Sequence, residues 1–155
     1  MAAQADGLKI EEPPLFIPWT ISEYEFADLF GFKKPTRLFR GSYRVDLVAL
    51  SGLPLKVCFR FDDYRLASLE LHSVGKKYPG LEGSFRIMQK HLESTYGAPT
   101  KTSPGTKFCE LDLPSYEWTI PGALIEHRIA DHFGPYESTS IYTEVGRQIY
   151  FPKSS

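Results

Sequence analysis

A chain of 155 residues, 42 % hydrophobic and 24 % charged, has the size and make-up of one folded domain with its own core. Its 18 basic against 19 acidic residues give a net charge of −1; the cationic surplus that binds phosphate backbones is missing, so no nucleic-acid partner is expected. No apolar run approaches the roughly 20 residues needed to span a bilayer, so no membrane association is expected either.

Aromatic residues are abundant: 11 Phe, 9 Tyr and 2 Trp, side chains that favour pleated sheet. Cys58 and Cys109 are too few for a disulfide framework or a cysteine zinc site. They read as two reduced thiols, or as one bridge between adjacent strands. The first seven residues lack the basic and apolar regions of a secretory signal. A cytoplasmic location fits best, with the periplasm as the alternative if a signal has been removed.

In chain order, residues 1–14 read as a loose lead-in ending at Pro13-Pro14, and 15–155 as a single α+β domain. Ser22-Glu23-Tyr24-Glu25 has the form of a capping box. It predicts a helix to about Phe30, with Gly31 as its left-handed cap and Pro35 as its stop. Tyr43, Val45, Leu47 and Ala49 alternate with polar neighbours, as do Leu53, Leu55, Val57, Phe59 and Phe61, the two-residue period of half-buried strands. Ser51-Gly52 and Asp62-Asp63 are turns, and Leu66–Leu71 completes an antiparallel meander.

The pattern then changes to a helical spacing of Phe85, Met88, Leu92 and Tyr96, with Ser84 as N-cap, Gly97 as C-terminal cap and Pro99 as stop. Phe108–Leu113, Tyr116–Ile120, Leu124–Ala130 and Thr139–Val145 read as strands, with Gln148–Phe151 a short last one. Residues 122–132 also carry a helical stripe; the Pro121-Gly122 turn after Trp118-Thr119-Ile120 favours a strand. The expected fold is an antiparallel sheet with two helices packed on one face.

The halves 20–71 and 84–145 rhyme. Leu29-Phe30-Gly31 with Pro35 parallels Thr95-Tyr96-Gly97 with Pro99, and Tyr43–Leu47 parallels Tyr116–Ile120. Tyr64 with Ser68-Leu69 matches Tyr136 with Ser140-Ile141 at identical spacing. Either the chain is a tandem α-β-β-β duplication, or Gly-x-Pro endings and Tyr-rich strands recur by chance. A helix ending in aromatic-Gly-x-Pro, followed by a Tyr/Trp-bearing meander, resembles the β-lactamase-inhibitor-protein fold and the small bacterial outer-membrane-assembly lipoproteins. That resemblance implies a binding module and not an enzyme.

The residues themselves show no serine elbow, phosphate loop or metal-ligand spacing, so no catalytic residue, metal or cofactor is assigned. Asp62-Asp63 reads as turn chemistry. His127, Asp131 and His132 cluster, yet on a strand His132 points away from the other two; a structural or surface role is expected, with His127→Ala leaving stability nearly unchanged. His72 and His91 read as solvated. Surplus aromatics point to an exposed sheet face, because Tyr and Trp combine large apolar area with a polar handle. The expected binding residues are Arg60, Tyr64, Trp118, His127 and Tyr136. Three readings follow: an inhibitor- or immunity-like module gripping a protein partner, a small enzyme or ligand-binding protein built on His127, Asp131 and His132, and a homo-oligomer pairing its own sheet edges or faces.

Overall fold

The computed structural model describes residues 6–30, 35–74, 80–105, 113–131 and 135–152. Alternating apolar residues build a meander of three strands, β4 (Ser42–Ala49), β5 (Leu53–Asp62) and β6 (Arg65–Ser73). One face is apolar: Val45, Leu47, Leu55, Val57, Phe59, Leu69 and Leu71 are all buried. Lys56, Cys58 and Arg60 take the opposite side of β5, as a period of two requires. The β5–β6 connection turns through Asp63 and Tyr64, both at positive φ (48° and 63°), the geometry of a tight hairpin turn.

A second meander is built of β8 (Ser115–Ile120), β9 (Ala123–Asp131) and β10 (Pro135–Thr143), so the ambiguous segment is a strand over Ala123–Asp131. β3 (Thr36–Phe39) pairs with β4 and β7 (Lys101–Ser103) with β8. The meanders join through β6 and β10, which run antiparallel. The resulting strand order β4-β5-β6-β10-β9-β8 is mirrored about that seam.

Two helices cover the apolar face, as expected. α1 (Glu23–Leu29) opens with the capping box: Ser22 Oγ accepts from the Glu25 N–H at 3.1 Å, and Glu25 accepts from the Ser22 N–H at 3.3 Å. Its Phe26 packs on Tyr43, Phe59 and Phe61. α2 (Gly80–Tyr96) buries Phe85, Met88 and Leu92. It begins four residues ahead of Ser84, which lies inside the helix and pairs its hydroxyl with that of Ser73. Gly97 caps it at φ 83°, with its N–H on the Glu93 carbonyl. Gly31 lies outside the described residues.

Two expectations are corrected. Within the expected loose lead-in 1–14, residues 7–12 are a strand: β1 (Gly7–Glu12) and β2 (Leu15–Pro18) form a hairpin that extends the sheet beside β4, with Leu8, Ile10 and Ile17 buried. The last element is a helix, α3 (Glu144–Tyr150), capped by Thr143, not a strand. It lies on the sheet face opposite α1 and α2, where Tyr150 and Phe151 pack on Tyr142. No helix among the described residues is long and apolar enough to cross a membrane.

Candidate binding surface

The face carrying α3 is the candidate surface. Strand register places Ser42, Arg60 and Ser68 in one cross-sheet row, and Arg44, Cys58 and Glu70 in the next. Arg60 is exposed and its Nη1 donates to the Tyr150 hydroxyl at 3.2 Å. On that flank stand Tyr150 and Phe151, 39 % and 46 % exposed; on the other, β3 presents Leu38 and Phe39, 43 % and 60 % exposed. The guanidinium therefore sits between two apolar rims. At its foot is a cavity of about 210 Å³ lined by Leu38, Phe39, Ser42, Cys58 and Glu70 among others. Cys58 is a free thiol, pushed up from its ordinary pKa first by burial and then by Glu70, so it is not an activated nucleophile. Cys109 lies outside the described residues.

Of the residues the sequence pointed to, Arg60 belongs to this surface. Tyr64 and Tyr136 are exposed, at opposite ends of the β6–β10 seam. Tyr64 stacks on Tyr24, ring centroids 5.5 Å apart. Trp118 and His127, expected on an exposed face, instead point into the core, 1 % and 0 % exposed. Trp118 Nε1 donates to the Gly97 carbonyl at 2.9 Å, pinning the end of α2 to β8.

His127 is held on three sides. Its Nδ1 lies 2.7 Å from Gln89 Oε1 and its Nε2 3.0 Å from Glu137 Oε2, and its ring stacks on Phe85 at 4.1 Å. A ring with both N–H groups satisfies both oxygens. A ring with one N–H needs the Gln89 amide turned over, so that its nitrogen, which has no partner as placed, donates instead. Of the expected trio His127, Asp131 and His132, the Asp131 side chain and His132 lie outside the described residues. His91, expected to be solvated, is half-buried and donates from Nδ1 to the Leu50 carbonyl at 2.7 Å. His72 is exposed, 4.0 Å from Glu70.

Two wider clefts, of about 660 and 900 Å³, flank α3 and meet at Gly122, Glu144 and Gln148. In the larger, Glu117 and Glu126 stand directly opposite each other on β8 and β9. Burial, and then Glu117, raise the Glu126 carboxyl while Arg128 pulls it back. No group of three His, Cys, Asp or Glu among the described residues is arranged to hold a metal ion.

The sequence reading missed Leu38, Phe39, Ser42, Tyr150 and Phe151. An apolar pair beside the Arg40-Gly41 turn was a signal for the first two; nothing local marked Tyr150, whose role depends on Arg60 ninety residues away. Comparison with protein-family models, curated proteins and solved structures found no match.

Proposed function

We propose that this protein is a non-enzymatic binding module, inhibitor- or immunity-like, that grips a protein partner through the sheet face carrying α3. The observation that carries the proposal is the exposed stripe Phe39–Arg60–Tyr150–Phe151, in which a cation lies between aromatic rims. Aromatic and Arg side chains are the residues that dominate binding energy at interfaces, because they bury large areas at low entropic cost. The same reading takes the two helix-plus-meander halves as copies of one unit. The mirrored strand order supports this, as does the pairing of Leu69 with Ile141, each five residues beyond the matched Tyr64 and Tyr136. The Tyr43–Tyr116 match runs against it: two lateral steps from Leu69 reach Tyr43, but two from Ile141 reach Trp118. Kinship with the inhibitor-protein fold and a cytoplasmic location are parts of this proposal, the latter resting on cysteine usage alone.

A photoreactive benzoylphenylalanine at position 39 tests the reading in cells of the source organism, with Lys90 on the helix face as control position. One protein captured at 39, not at 90, and lost in Arg60→Asp is the expected result. Equal capture at both positions, or capture indifferent to Arg60→Asp, would remove the proposal. Capture of a second copy of the chain would replace it with self-association.

A further inference from the structure

We infer that the cavity at the foot of Arg60 is a receptor for one tyrosyl side chain of the protein partner, an inference that rests on the binding-face reading and names what that face recognises. The cavity's size limits the occupant. At about 210 Å³ it falls below the roughly 300–1,000 Å³ of sites that enclose cofactors or small metabolites, and it has room for a single side chain.

The lining decides the chemistry. Leu38 and Phe39 supply an apolar wall that is 43 % and 60 % exposed, surface that gains by being covered. The floor holds Ser42, 5 % exposed, whose Oγ has no hydrogen-bond partner. Arg60 borders the cavity with its guanidinium held by the neutral Tyr150 phenol, leaving a planar cation over which an aromatic ring can lie. Glu70 borders the same cavity. Its carboxylate opposes an incoming anion and can accept from a hydroxyl, while Arg60 opposes an incoming cation. A neutral ring with a hydroxyl tip meets all of these demands. A phenylalanyl ring would offer Glu70 no donor, and an aspartyl or glutamyl side chain would face its carboxylate.

The test uses side-chain mimics on the full ¹⁵N-labelled chain, so its outcome does not depend on finding the partner. p-Cresol should shift the backbone amides of Phe39, Ser42, Cys58 and Arg60 saturably, and bind about fivefold more tightly than toluene, the ratio one net hydrogen bond supplies. Benzoate should not saturate the same resonances. Glu70→Ala, a change at a side chain that is 56 % exposed and should melt like the parent protein, should bring p-cresol down to the toluene affinity. Phe39→Ala should weaken both probes together. Benzoate preferred over p-cresol, equal affinity for p-cresol and toluene in the parent protein, or saturable shifts confined to the clefts beside α3 would each overturn the inference. If p-cresol fails while crosslinking at position 39 succeeds, the tyrosyl receptor falls and the binding face stands. If crosslinking at position 39 fails while p-cresol binds, the binding face falls and the partner's tyrosyl side chain with it.

Discussion

His127 has no solvent exposure, so both ring nitrogens must be satisfied internally, and Gln89 and Glu137 do this from α2 and β10. Removing the ring would leave Glu137, whose side chain is 9 % exposed, without its partner and would open a void against Phe85. We therefore expect His127→Ala to cost about 2–5 kcal/mol of stability, measured by urea unfolding. A variant as stable as the parent would show that His127, Gln89 and Glu137 are not a structural unit. Glu126 gives a pH-dependent counterpart. Its carboxyl sits above the ordinary 4.5, so the fold prefers the protonated form. The contribution of this group is fully present below the unfolded value and is lost as pH rises through the folded one. Glu126→Gln should accordingly raise the melting temperature at about pH 7 and leave it unchanged at about pH 3. A gain of equal size at both values would mean that charge is not the cause.

At the scale of elements, α3 shows how a close approach replaces sequence pattern as the reason for a structure. A Cβ on Gly146 would stand 2.0 Å from the Ala67 carbonyl oxygen of β6, so only glycine lets the helix lie this near the sheet. Thr143 sets the start: its hydroxyl accepts from the Gly146 N–H and donates to the Leu66 carbonyl at 2.6 Å. We expect Gly146→Ala to lift α3, lower the melting temperature and flatten the near-ultraviolet circular dichroism of the Tyr142–Tyr150 pair, at a cost of about 1–3 kcal/mol. An unchanged spectrum would show that the helix does not press on the sheet. A seven-residue helix with glycine at its third position has too little periodicity to be read from sequence, and aromatic Tyr150-Phe151 imitates a strand. β4, β5 and α1 were legible because alternation and capping are local. β1 was obscured by Glu11, Glu12 and two prolines, although Leu8 and Ile10 alternate correctly. The inward direction of His127 was readable from Ile125 and Ile129 on the same strand face; its partners, on two other elements, were not.

For the whole molecule, the seam decides the order of events. Within each meander the partners are neighbours in sequence, whereas Leu69 and Ile141 meet across the length of α2, β7, β8 and β9. Contacts so distant in sequence are slow to form because chain entropy is lost before they reward it. On the ribosome the delay acquires a duration. β6 ends at Ser73 and β10 at Thr143, and at about 5–20 residues per second the intervening chain takes about 4–14 s to emerge. Throughout that interval the first meander is finished while the β6 edge presents unpaired N–H and C=O groups, the template on which nascent chains add to one another. A fragment ending at Val74 should therefore associate or precipitate as its concentration rises, and adding the separately made 80–155 segment should suppress this. Sedimentation of the two, alone and mixed, gives the answer. A monomeric, soluble 1–74 fragment would mean that the newborn chain guards this edge by itself.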